Sequence, residues 1–300
     1  MRSSLLSRRL LYALALAAVL TLPALAQEGR TVYEVKSKYQ LITVWDTPDG
    51  YRQLIFDGRF DGTDPVQSEM NLAKPTELTL SYASHMITAL PLVAKPNRIL
   101  VVGLGGACIQ RYLHELLPDA VIETAELDPD VLDVARRFFS YKPDDRQKVH
   151  IGDGRKFLER SRDKYDIIML DAFSAESIPY MLATREFLKL CQNHLAEGGL
   201  VCANLWYDSD DYHNMLKTYA DVFPEWRVLR CPRSTNAIVV ALPKPRKLTP
   251  EIWMNLAATF EKAHPTGLNL ARLIDRSIEP ATRIPTDARV LLDADAGKRR

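Results

Sequence analysis

Arg98-Ile-Leu-Val-Val-Gly103-Leu-Gly105-Gly106 is the stretch on which the reading of this chain turns. Arg98 to Val102 is a short β-branched run with no charge after its first residue, the pattern of a strand buried on both faces. Glycines follow at once, and Ala107 to Leu117 then shows helical spacing. A strand, a glycine turn and a helix N-terminus bring bare backbone close to a ligand, with Gly103 and Gly105 permitting the approach. Glu126 ends the next apolar run, where a strand-tip carboxylate can accept both hydroxyls of a ribose. A tight turn with a solvated glutamate is the competing explanation of the same residues.

Two further elements point to the same edge. Val149-His-Ile151 runs into Gly152-Asp153-Gly154. Asp153 there can accept a hydrogen bond from an adenine amino group while the Gly154 N–H faces a ring nitrogen. Tyr165 to Leu170 reads as a fourth buried strand, with Asp171 at its carboxyl tip. Ligands of open parallel sheets bind beyond the carboxyl ends of the strands. Gly103, Glu126, Asp153 and Asp171 are therefore expected to share one edge of a doubly wound, Rossmann-like α/β sheet.

Beyond the glycine loop, Ser37-Lys-Tyr39-Gln40, Ile55-Phe-Asp57-Gly58, Met86 to Pro91, Gly152-Asp153-Gly154 and Thr184-Arg-Glu-Phe187 all match motifs of one family. Together they make the chain resemble the spermidine synthases (polyamine aminopropyltransferases), from roughly Thr31 to Ala241. The resemblance implies a seven-stranded sheet of the S-adenosylmethionine methyltransferase type behind a small N-terminal antiparallel β-domain. It also implies decarboxylated S-adenosylmethionine as donor, a polyamine as acceptor, and Asp171 as the base that deprotonates the attacking amine. Two departures stand out. Gly106 occupies the place of the acid that holds the donor's ammonium, and Ser174 that of the second acid in the family's Asp-x-x-Asp loop. The nucleoside half matches the family, while the polyamine half lacks two carboxylates.

Composition leaves room for this and excludes other classes. Three hundred residues at 47% hydrophobic content suffice for a large and a small domain. With 39 basic and 38 acidic residues there is neither a nucleic-acid footprint nor a polybasic membrane patch. Four scattered cysteines with no Cys-x-x-Cys, and six histidines without ligand spacing, leave a metal site unsupported. Cys108 and Cys202 are expected as packed free thiols.

The first 26 residues differ in kind. Arg2, Arg8 and Arg9 precede an apolar run, Leu10 to Leu25, and Ala24-Leu-Ala26 offers a cleavage site. This is the three-part pattern of a secretory signal peptide, and it predicts an exported, periplasmic protein with no stable membrane insertion after cleavage. The Arg8-Arg9 pair also resembles a twin-arginine signal.

In chain order, 27–75 is expected as the β-domain with a turn at Thr47-Pro-Asp-Gly50 and a polar flap over 61–75. Residues 76–245 form the nucleoside-binding domain and 246–300 a last helix with a surface tail. Thr76 to Val93 is expected to be one helix capped by Thr76, and Gly198-Gly199 a turn into the strand Leu200–Leu205. Gln40 reads equally as an arm over the nucleoside or a solvated strand residue, and Tyr39 as core. Tyr82, Ser174 and Glu176 are candidates for the acceptor pocket. Trp206 and Tyr207 either line that pocket or pack beneath the loop.

Three functions stay open at this point. The first is aminopropyl transfer to a polyamine amine, and the second methyl transfer from S-adenosylmethionine in the same pocket. The third is a non-catalytic exported protein that binds a nucleoside or polyamine, motivated by a sulfonium donor made in the cytosol. Oligomeric state, a homodimer included, is not decided by these patterns.

Overall fold

The computed structural model describes residues 29–58, 66–173, 178–279 and 282–298. The expected signal segment, Ser174 and Glu176 lie outside them. Four strands, β1 (Arg30–Lys36), β2 (Leu41–Asp46), β3 (Tyr51–Phe56) and β4 (Val66–Asn71), form an antiparallel meander. Between β2 and β3 the Gly50 N–H closes the turn onto Thr47 O, with Gly50 at φ +90°. β4 corrects the expected flap over 66–71, while 61–65 lie outside the described residues. Ser68 and Met70 alternate inward, so a segment that is polar by composition still has the period-two burial of a sheet edge.

The second sheet has seven strands: β5 (Arg98–Val102), β6 (Val121–Glu126), β7 (Gln147–Ile151), β8 (Tyr165–Leu170), β9 (Leu195–Trp206), β10 (Glu225–Arg230) and β11 (Asn236–Leu242). Their spatial order is β10-β11-β9-β8-β5-β6-β7, parallel from β7 to β9, with β11 antiparallel to both its neighbours. Strand order reverses beside β5, which pairs with both β6 and β8 and so creates the crevice where such sheets bind ligands.

The helices are α1 (Ser81–Met86), α2 (Cys108–Leu116), α3 (Pro129–Phe138), α4 (Gly154–Arg160), α5 (Arg185–Asn193), α6 (Tyr212–Val222), α7 (Pro250–Ala263) and α8 (Leu270–Ser277). They cover both faces of the large sheet. Along β5, Ile99 and Val101 join a core with α1, α2, α7 and α8, while Leu100 and Val102 join one with α4, α5 and α6. That two-sided burial is why the strand reads as an unbroken apolar run. A third core packs the small sheet (Ile42, Val44, Leu54) on α3 and the glycine loop. Buried Arg111 links these parts, donating to Phe139 O at 2.5 Å and to Ala107 O at 3.3 Å.

Three further expectations are corrected. Thr76 to Val93 is not one helix. α1 starts after Leu80 without a side-chain cap and passes into a 3-10 turn, Ile87–Leu92, that contains Pro91. Proline cannot donate the N–H that an α-helix requires, so the tighter turn takes over. Gly198-Gly199 lies within β9 as a kink, Gly198 at φ +76°, where the register with β8 shifts. The C-terminal tail does more than cover surface. Leu270 and Ile274 of α8 are fully buried, and Asp293 pairs with Arg155 at 2.5 Å. All four cysteines are free thiols, buried at Cys191, Cys202 and Cys231 and partly buried at Cys108.

Candidate active site

A cavity of about 940 Å³ opens between the small sheet, α1 and the carboxyl ends of the large sheet's strands. On the side formed by the glycine loop the backbone is forced. Gly103 stands at φ +102°, and a Cβ there would come within 2.2 Å of Asp171 O, so only glycine fits. Gly105, at φ +51°, faces Ser68 with similar closeness. Glu126 accepts from Leu104 N and Asp128 N, both at 2.8 Å. Each oxygen thus meets a backbone donor and keeps lone-pair capacity for a ligand hydroxyl. Burial raises this carboxyl to about 7, against the pull of those amides.

Asp153 caps α4 by accepting from Lys156 N at 2.8 Å, and it also borders the cavity. Gly154 is buried against Val102, where a Cβ would meet Cγ1 at 2.6 Å. Asp171 lies across the crevice. Its N–H donates to Val102 O, and its Oδ1 accepts from Asn204 Nδ2 at 3.0 Å. Burial raises its carboxyl to about 7, opposed by that one hydrogen bond. Tyr82 lines the same space and donates from its hydroxyl to Gln67 O at 3.0 Å. Burial, then the charge of Asp171, holds its phenol well above the usual range, so it stays protonated.

Of the residues expected from sequence, Gly103, Gly105, Glu126, Asp153, Gly154 and Asp171 border this one cavity, joined by Gln40 and Tyr82. Tyr39 is a correction. It is 44% exposed and borders the cavity rather than the core, because the strand starts only at Leu41. Trp206 faces the cavity and stacks on Phe173, ring centroids 5.1 Å apart. Tyr207 instead holds the Arg230 guanidinium over its ring. His85 touches the cavity but is pinned between Ser81 O and Ser277 Oγ, and burial lowers its pKa.

Gly106 reads differently in three dimensions. Its N–H donates to Ser68 Oγ at 2.8 Å, and a Cβ would meet Phe139 at 2.8 Å and Ser68 Cβ at 2.9 Å. Ser68 of β4 and Phe139, just after α3, fill the space that a side chain at this position would need. Three residues escaped sequence reasoning: Asn204, Asn236 and Asp128. Asp128 is buried beside Glu126, with Oδ1 capping α3 and Oδ2 without a hydrogen-bond partner among the described residues. The available signal was a polar residue within or at either end of a buried apolar run. Among the described residues no group of three His, Cys, Asp or Glu is disposed to hold a metal ion, and no helix is long and apolar enough to cross a membrane.

Comparisons with known proteins agree with this geometry. The spermine/spermidine synthase domain model matches residues 80–239. A polyamine aminopropyltransferase of Vibrio vulnificus is 33% identical over 232 residues, 76% of this chain and 77% of that protein. Human methyltransferase-like protein 13, solved in complex with SAH, superposes with a TM-score of 0.55 at 27% identity, over 69% of this chain and 96% of that one. A spermidine synthase solved with the transition-state analogue AdoDATO shares the fold, at TM-score 0.60 and 22% identity over 74% of this chain and 78% of that one. Strand order, the glycine turn and the matched sequence agree: this chain belongs to the spermine/spermidine synthase family, a family of transferases.

Proposed function

We propose that the protein transfers an aminopropyl group from decarboxylated S-adenosylmethionine to the amine of a polyamine. The observation that carries this is a single cavity, in a chain of this family, with Asp171 facing the nucleoside-side acids Glu126 and Asp153. Glu126 would accept from the ribose hydroxyls, Asp153 and the Gly154 N–H would read the adenine, and Gln40 would cover the nucleoside. An amine attacks only when neutral. Asp171, tuned near neutrality by burial, both draws the ammonium in and takes its proton. The amine nitrogen then bonds to the carbon next to the sulfonium, the carbon–sulfur bond breaks, and its electron pair goes to sulfur. Methylthioadenosine leaves and one proton passes to solvent. Tyr82 would bound the acceptor, and the Phe173–Trp206 stack would wall it. Ser174 and Glu176 stay candidates there.

Methyl transfer from S-adenosylmethionine is a second reading, favoured by one feature. No acid stands at Gly106 to repel the carboxylate of that donor. Calorimetry with methylthioadenosine, both donors and putrescine, with products identified by mass spectrometry, separates the readings. Turnover with the decarboxylated donor supports aminopropyl transfer. Preference for the carboxylated donor with a methylated product overturns it, and polyamine binding without turnover favours a binding protein. Export through the segment 1–26 is a companion proposal, tested by N-terminal sequencing of protein from the periplasmic fraction.

A further inference from the structure

The loop between β10 and β11 borders the cavity, and a line of hydrogen bonds runs inward from it. Ser234 Oγ bonds Asn236 Oδ1, Asn236 Nδ2 donates to Asn204 Oδ1 at 2.8 Å, and Asn204 Nδ2 donates to Asp171 Oδ1 at 3.0 Å. The sheet explains this alignment. Asn204 pairs with Ile238, and Asn236 lies two residues before Ile238, so both asparagines occupy one face as diagonal neighbours. Asn204 is 3% exposed, in a strand segment otherwise apolar from Leu200 to Leu205. A buried amide is costly unless both its ends are bonded, and here both are. Because Ser234 meets the Asn236 oxygen, the Asn236 NH₂ is directed at Asn204, which in turn aims its own NH₂ at Asp171.

We propose that Asn204 and Asn236 are positioning residues that clamp one oxygen of Asp171 and leave the other to the acceptor. The proposal rests on the reading of Asp171 as the base of the transfer. Among the described residues, Asn204 supplies the hydrogen bond to the Asp171 side chain. The titratable groups coupled to Asp171 are the phenol of Tyr82 on α1 and the thiols of Cys108 on α2 and Cys202 on β9. Burial keeps all three protonated at neutral pH. His85 on α1, Glu126, Asp128 and Asp153 from the opposite edge, and Arg233 from the loop share the cavity.

The test is a carboxyl carbon-13 NMR titration of the full chain, with Asp171 assigned by its loss in Asp171→Asn, run beside a pH–rate profile. Asn204→Leu is isosteric but cannot donate. It should move the Asp171 midpoint up by about one unit and lower kcat at neutral pH about fivefold, leaving the donor KM unchanged. Asn236→Ala frees the Asn204 amide to turn and should give a smaller shift the same way. Asn204→Gln keeps a donor and should recover part of the loss. An unmoved midpoint in a folded Asn204→Leu overturns the proposal. If that variant does not fold, an unmoved midpoint in Asn236→Ala does so instead. A shifted midpoint without turnover on any acceptor upholds the clamp and removes the transferase reading, so the two failures are distinct.

Discussion

The two ends of the cavity are built by different means. At the proposed nucleoside end, the path of the backbone sets the groups that would recognise the ligand. Gly103 is held at a φ that only glycine adopts freely, and Glu126 is held by two amides of the loops beside it. At the acceptor end, side chains from distant segments meet: Asp171, Asn204, Asn236, Tyr82 and the Phe173–Trp206 stack. A backbone site tolerates little change because the chain path itself is the recognition element. A side-chain site can trade one polar or aromatic group for another while the path stays put.

Asp171→Asn should break the comparison most sharply. Turnover should fall about a thousandfold while methylthioadenosine affinity in calorimetry changes little, because the loss is confined to proton transfer. An equal loss of nucleoside binding would mean that the two ends are not separable. Gly103→Ala should damage both ends together. The Cβ meets Asp171 O, and the positive φ adds strain, so chemical denaturation should report a loss of about 3 kcal/mol.

Acid–base behaviour sharpens the same contrast. Glu126 and Asp171 are raised in the fold to about 7, from ordinary values of 4.5 and 3.8. A raised carboxyl binds its proton more tightly when folded. Its stabilisation is therefore complete below its ordinary value and is lost as pH rises through about 7. For Glu126 the loss is about 3 kcal/mol across that window. Urea midpoints should fall between pH 4 and 8, and Glu126→Gln should flatten the fall. Trp206→Ala should have the smallest effect, raising the acceptor KM severalfold with donor affinity unchanged, as removal of one wall of the stack implies. A donor-side change in that variant would show that the wall belongs to the nucleoside.

Much of the nucleoside end was legible in the chain because its signals are local. A buried strand, the glycines after it and the acid at the next strand's tip lie within a short span, and each carries its own constraint. The last helix expected after residue 246 was legible for the same reason. Asn204 was not. A single amide inside an apolar strand has meaning only once β8 and β11 flank it. Nor was β4, whose polar residues conceal an inward alternation that shows only when β3 is beside it.

Sequence alone determined the alternation of strand and helix, the glycine turn and the identity of the acids, because short-range sterics and hydrophobic periodicity act through neighbours in the chain. Tertiary structure decided that Ser68 and Phe139 fill the space at Gly106, that Tyr39 leaves the core for the cavity rim, and that two asparagines hold Asp171. Those outcomes depend on which surfaces meet after the chain has closed on itself, and contact between segments dozens of residues apart leaves no periodic trace in either one.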